Sequence, residues 1–324
     1  MQPERLALLG LVVVGVPLAV IAYITLAERA LGLLPERRRP QLRPWVWIGP
    51  AVLLLLLYLV YPSVGTIWLS FHDARSQNFV GLENYQAIAG LSDVHIAIRN
   101  NLLWVVVFTS GVILFGLTFA LLADRVRYES AAKSLIFLPM AISFVAAGVI
   151  WRFMYAYQPP GLPQTGTLNA AVTTAGADPV AWLIVQPWNN LFLIVVGVWI
   201  WTGFAMVILS AALKSIPAEL LEAARVDGAG EVRVFRSIVL PLLGPTIAVV
   251  ATTLVIFALK AFDVVYVMTS GNFGTEVLAN LMYEVLFNTR HFGRASAIAV
   301  LLLVAIVPIL IVNLRRFRFQ EAIR

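Results

Sequence analysis

Between Lys214 and Pro241, ionisable side chains recur at every third position as Glu219, Glu222 and Arg225. On a helix that spacing gathers them into one polar stripe, with Leu220, Leu221, Ala223, Ala224 and Val226 filling the remainder. The chemistry on offer is ion pairing and hydrogen bonding at a surface. A carboxylate followed by two small residues, Glu222-Ala223-Ala224, suits insertion into a cleft on a protein partner. The same pattern describes an amphipathic helix resting on a membrane, although such helices usually carry a basic polar face and this stripe is mainly acidic. Ser215-Ile216-Pro217 resembles a helix start, because proline is tolerated in the first turn, and Asp227-Gly228 resembles a stop. A second helical stretch, Glu231–Val239, leads to Pro241 at the start of the next apolar run.

Other chemistry is sparse. A phosphate-cradling loop needs Gly-x4-Gly-Lys, and none of the three lysines, Lys133, Lys214 and Lys260, follows such a glycine. The chain has no His-Glu-x-x-His and no Gly-x-Ser-x-Gly. His72, His95 and His291 fall in loops at no ligand spacing, and the lack of cysteine excludes disulfides, thiolate metal sites and cysteine nucleophiles. No catalytic residue, metal site or resident cofactor is therefore expected. Arg152, Lys260 and Asp263 are the ionisable groups nearest the apolar runs, each close to an end where long side chains reach the interface.

The elements that position these residues follow from composition. Of 324 residues, 60% are hydrophobic and 12% charged, too little polar surface for a soluble protein of this length. Runs of about 20 apolar residues cross a bilayer as helices. Seven such spans are expected, at Leu6–Leu26, Trp45–Phe71, Leu102–Leu122, Leu135–Tyr157, Trp188–Leu213, Leu242–Lys260 and Ala295–Val312. The first is long, has Arg37, Arg38 and Arg39 after it, and is followed by no clear cleavage site, so a retained helix is expected rather than a signal peptide. The net charge of +6 then belongs to loops, with no nucleic-acid partner. With a cytoplasmic C-terminus, the inside segments Glu28–Pro44, Ala123–Ser134, Lys214–Pro241 and Leu314–Arg324 hold 16 of the 23 Lys and Arg, and the outside segments hold five. That split obeys the positive-inside rule and the reverse topology violates it. The loops His72–Asn101, Gln158–Pro187 and Asp263–Arg294 then face outward. The expected architecture is an all-α, polytopic integral membrane bundle with a helical loop, Lys214–Pro241, on its cytoplasmic side.

Glu222-Ala223-Ala224, three residues, Gly228, nine residues, then Ile238-Val239-Leu240-Pro241 resembles the EAA loop of bacterial ABC-importer permeases at every fixed position. The likeness runs in order from about Trp45 to the C-terminus, through Gly81-Leu82-Glu83-Asn84-Tyr85, Phe137-Leu138-Pro139, Ser215-Ile216-Pro217 and Phe262–Thr269. These segments are similar to sugar-importer permeases of the maltose and glycerol-phosphate type. The resemblance implies an extra helix and basic cytoplasmic loop over residues 1–44, and a six-helix permease core over 45–324 with its coupling loop at 214–241. It implies that Glu222, Ala223, Ala224, Asp227, Gly228, Ile238, Leu240 and Pro241 dock a cytoplasmic ATPase dimer, which holds the ATP and Mg. It also implies a second homologous permease, an extracytoplasmic sugar-binding protein, and a bacterial or archaeal inner membrane.

Family positions facing the substrate path fall at or near Met140, Phe144, Gly197, Trp201, Phe204, Thr253, Phe257 and Lys260, though aromatics at helical spacing are also what packing and lipid contact produce. The proline-rich loop Tyr157–Asn169 resembles the α-glucoside branch, and a phosphate substrate would need more cavity-facing cations than the spans contain. Where many relatives have a Gly-Gly-Gly-Pro run, this chain has Ser270-Gly271-Asn272-Phe273-Gly274. A carrier of small polar solutes working alone is the alternative, against which the EAA spacing stands.

Overall fold

The computed structural model describes residues 3–124 and 126–321, so Arg125 and Arg324, two of the basic residues counted above, lie outside the described residues. The chain divides into two compact units, Met1–Gly65 and Thr66–Arg324. Among the described residues six helices are long and apolar enough to cross a membrane, or seven when one bent pair is taken as a span. The expected all-α, polytopic class is what the chain adopts.

In the first unit, α1 (Pro3–Gly32) packs against the start of α2 (Arg39–Leu69). Arg39 fastens the turn between them, donating from Nε to Leu34 O at 2.9 Å and from Nη2 to Gly32 O at 2.8 Å. Arg43 pairs with Glu28 at 2.9 Å, and the Tyr23 hydroxyl donates to Val46 O. Val13, Leu18, Ile21 and Leu26 on α1 are exposed, as lipid-facing side chains are.

The second unit contains α3 (Ser92–Ala123), α4 (Glu129–Ala141), α5 (Phe144–Met154), α6 (Asn189–Lys214), α7 (Ala218–Val226), α8 (Glu231–Leu259), α9 (Asp263–Met268), α10 (Leu278–Phe287) and α11 (Phe292–Glu321). Its centre is α6, with 61% of its apolar window buried. Leu193, Ile194, Ile200, Met206 and Leu209 of α6 are fully buried and share one core with Val112 of α3 and Val250 and Leu254 of α8. Small residues set the spacing: a Cβ on Gly203 would stand 2.6 Å from Phe137 Cα, so α6 and the end of α4 meet backbone to backbone.

Three expectations are corrected. The segment Leu135–Tyr157 is not one straight span, because α4 and α5 meet at a bend of 97°. Pro139 lies in a tight 3-10 turn, Leu138–Ala141, where its missing N–H cannot extend an α-helix, and Ser143 starts the next helix by accepting from Ala146 N at 3.1 Å. Second, Glu231–Val239 is not a separate stretch leading to Pro241. It is the first part of α8, and the missing N–H of Pro241 is absorbed by a wide π turn at Phe235–Val239. A similar π turn, Leu56–Val60, precedes Pro62 in α2. Third, α3 begins at Ser92, ten positions before the apolar run at Leu102, since a helix need not stop where hydropathy does.

Candidate functional site: the exposed α7 turn and the aromatic cavity

The helix α7 ends in a Schellman motif. Gly228 takes φ +82°, the Gly228 N–H donates to Arg225 O at 3.0 Å, and the Ala229 N–H donates to Ala224 O at 3.0 Å. Across this turn Arg225 Nε donates to Glu231 Oε1 at 2.8 Å, tying the end of α7 to the start of α8. Leu221 and Ala224 face inward and pack on a small core of Val234, Val239 and Leu243. Glu222, Ala223, Asp227 and Gly228 face out and are exposed. Val226, at 86% exposed, and Val232, at 68%, stand beside them as bare apolar surface. Ile238 is half-buried within the π turn, and Leu240 and Pro241 are exposed on the next turn of α8. The two alanines of the motif thus have opposite duties, Ala224 in packing and Ala223 at the surface.

A polar cluster missed from sequence joins three elements of the bundle just ahead of α7 in the chain. Lys133 of α4 donates to Asp124 at 2.6 Å and to Glu129 at 2.6 Å, and also bonds the Ser210 hydroxyl of α6. Ser210 donates to Asp124 at 2.9 Å, and Lys214, at the end of α6, pairs with Glu129. The end of α3, α4 and the end of α6 are joined a few residues before α7 begins. Glu129 and Lys133 stand at i and i+4, which was legible, but the partners across the bundle were not.

The proposed path residues fall into two groups. Phe144, Gly197, Trp201, Phe257 and Lys260 line one cavity of about 230 Å³, together with Trp104, Phe108, Phe262 and Asp263. Its aromatic wall is close-set: Trp201 and Phe257 centroids lie 3.9 Å apart, and Phe144 stacks on Trp201 at 6.3 Å. Gly197 makes room for the opposite wall, since a Cβ there would stand 3.0 Å from Trp104 Cζ3 and 3.2 Å from Phe108 Cδ2. Met140, Phe204 and Thr253 do not line the cavity. Met140 packs on the main core, Phe204 stands edge-on behind Trp201 at 5.3 Å, and the Thr253 hydroxyl is turned to Val249 O of its own helix at 3.1 Å. Trp104 and Phe108 were overlooked; their i, i+4 spacing on α3 was the available signal. Trp104 is 3% exposed and its Nε1 is a buried donor with no partner among the described residues. Such a cavity fits a neutral solute with apolar ring faces and a few hydroxyls. Arg152, at the end of α5, donates to Val267 O of α9 at 3.2 Å and so holds the segment following the cavity.

Comparison with known proteins agrees with this geometry. The osmoprotective compounds uptake permease protein GgtC of Synechocystis sp. is 54% identical over 279 residues, covering 86% of this chain and all of that one. The alpha-glucoside transport system permease protein AglF of Rhizobium meliloti is 50% identical over 275 residues, covering 85% of this chain and 82% of that one. The crystal structure of a bacterial ABC transporter involved in the import of the acidic polysaccharide alginate has a similar chain. That chain has a TM-score of 0.73 and 25% identity, with 87% of this chain and 99% of that one covered. Residues 112–321, which include both the α7 turn and most of the aromatic cavity, match the family described as the binding-protein-dependent transport system inner membrane component. With an exposed motif helix, a polytopic bundle and that match over most of its length, the chain belongs to the inner membrane component family of binding-protein-dependent transport systems.

Proposed function

We propose that the chain is a permease subunit of an ATP-driven importer of a di- or oligosaccharide of the α-glucoside kind. It forms the path with a second permease, takes its solute from an extracytoplasmic binding protein, and is driven by a cytoplasmic ATPase dimer that holds the ATP and Mg. The observation that carries this reading is the α7 turn, an exposed acidic helix edged with bare apolar side chains, on a chain 50% identical to an alpha-glucoside permease component.

In this reading the α7 end of the bundle is cytoplasmic, with the C-terminus, as the distribution of Lys and Arg supports. Glu222 and Ala223 enter a groove on the ATPase. Because the Schellman turn and the Arg225–Glu231 pair couple α7 to α8, closure of the ATPase moves both as one lever. The Lys133 cluster passes that displacement to α3, α4 and α6. Nucleotide shifts the populations only through its different affinity for the inward- and outward-facing states. The solute meets the Trp201–Phe257 wall, with Lys260 and Asp263 on the lining.

The test is reconstitution in liposomes with the second permease, the ATPase and the binding protein, measuring ATP hydrolysis against a panel of sugars. Stimulation by maltose or trehalose is expected. Stimulation by a different class of solute overturns the sugar assignment, and uptake that needs no ATPase overturns the importer.

A further inference from the structure

A second cavity, of about 450 Å³, lies beyond the other end of α8. Its lining includes Tyr266, Asn272, Glu276, Asn280, Tyr283 and Glu284. Carboxyls and amides each present paired oxygen or nitrogen positions that match vicinal hydroxyls, and the tyrosine rings offer flat apolar faces. Asn280 is 3% exposed. Its Nδ2 donates to Glu276 Oε1 at 2.8 Å, while its Oδ1, also buried, accepts from no group of the chain. A metal is the wrong occupant, as the described residues contain no group of three His, Cys, Asp or Glu that could hold one. Asp93 also lines the cavity, and burial, with Glu284 and Asp93 adding to it, pushes the Glu276 carboxyl up to about 7.

The cavity floor is braced by side chains from elsewhere in the chain. Gly271 and Gly274 take positive φ freely, while Ser270 and Phe273 also have positive φ, which costs a residue with a side chain and persists only when its surroundings hold it. Four amide side chains do so. Gln186 and Asn189 donate to Phe273 O at 2.7 and 2.8 Å, Asn190 donates to Gly274 O at 3.2 Å, and Asn100 donates to Gly274 O and Glu276 O at 2.8 Å each. Rings connect this cavity to the first. Phe262 lines the Trp201–Phe257 cavity and stacks on Tyr266 at 5.1 Å, and Tyr283 stands 5.1 Å from Tyr266 and 5.4 Å from Phe262.

We infer that this second cavity is a staging site for the same neutral, polyhydroxylated solute, which it passes to the Trp201–Phe257 cavity along the shared Phe262–Tyr266–Tyr283 wall. The inference rests on the sugar-importer reading above. Because the chain has no cysteine, each cavity can be reported by one introduced thiol. Asn288→Cys lines the second cavity and Ala261→Cys the first.

In the assembled importer in nanodiscs, the rate of thiol modification is measured with maltose, and with glycine betaine as a solute without hydroxyls. Maltose at ~10 times its Kd should slow both thiols about tenfold, and glycine betaine should slow neither. Adding Asn280→Leu should abolish protection at Asn288→Cys and leave it at Ala261→Cys. Protection at Ala261→Cys alone overturns the staging site while the importer reading stands. Protection at Asn288→Cys that survives Asn280→Leu, or that glycine betaine also gives, overturns it too. Protection at neither thiol overturns the sugar reading and the staging site together.

Discussion

The turn that opens α8 and the loop that follows its end are held by different kinds of contact. At the opening, the bonds are local: Ala229 to Ala224, Gly228 to Arg225, Arg225 to Glu231, with the motif side chains exposed. Beyond the far end, the backbone of residues 273–276 is held by amides from positions 84 to 176 residues away in sequence. The difference suits the roles proposed above. A surface meant for another protein keeps its own side chains free and adds its partner's contacts later. A cavity for a small solute has too little contact area to order its own walls, so they must be ordered beforehand.

The largest effect should come from Glu222→Lys. Glu222 is exposed, so the change should move stability by no more than about 0.5 kcal/mol. Placing a cation in a groove that receives a carboxylate should lower sugar-stimulated ATP hydrolysis by on the order of a hundredfold or more. Wild-type hydrolysis from a monodisperse Glu222→Lys complex would break the assignment of this turn.

The far end should respond in the opposite sense. Asn100→Leu removes the donor to two carbonyls, Gly274 O and Glu276 O, around a residue that is 0% exposed. Gly274 O keeps the Asn190 donor but Glu276 O is stranded, which should cost roughly 1–3 kcal/mol of stability, read as a lower melting temperature in detergent. An unchanged melting temperature would mean that the loop is not held by its clamps.

This contrast also decides what the sequence could reveal. Glu222, Gly228 and Pro241 lie within one short window, and their physics is local, so residue type and spacing nearly determine the geometry. The seven apolar runs were legible for the same reason, except where Pro139 and Ser143 turn the fourth into a 97° bend. Asn100, in an expected loop, and Asn189 and Asn190, at the start of an expected span, gave no such signal, because their carbonyl partners are specified only by the folded packing. Five of the eight residues expected along the path line one cavity, and the split has a similar reason. Phe144, Trp201 and Phe257 meet across three helices, while Phe204 and Thr253, at equally plausible helical spacing, turn elsewhere.

A pH series tests whether Glu276 is as enclosed as its position implies. Burial is the main cause that raises its carboxyl from 4.5 to about 7, with Asp93 and Glu284 adding to it and the Asn280 and Val277 donors opposing. Above 4.5 the unfolded chain releases this proton while the folded chain keeps it. The contribution is therefore full below about 4.5 and lost as pH rises through about 7. Stability should fall across that window by on the order of 3 kcal/mol, and Glu276→Gln should remove most of the slope. A slope of equal size in Glu276→Gln would assign it to another group.

Two glycines give the finest comparison, since they share a conformation and differ in surroundings. Gly228 has φ +82° and Gly271 has φ +79°. An added Cβ meets nothing within 4 Å at Gly228, but stands 2.2 Å from Glu276 Oε2 at Gly271. Gly228→Ala should therefore show the backbone cost alone, about 1 kcal/mol. Gly271→Ala adds a collision with a buried, hydrogen-bonded carboxyl and should cost about 3 kcal/mol. Thermal unfolding of the two variants side by side isolates the difference. Equal losses would mean that Glu276 yields freely, and the far loop would then be no more ordered than the exposed turn.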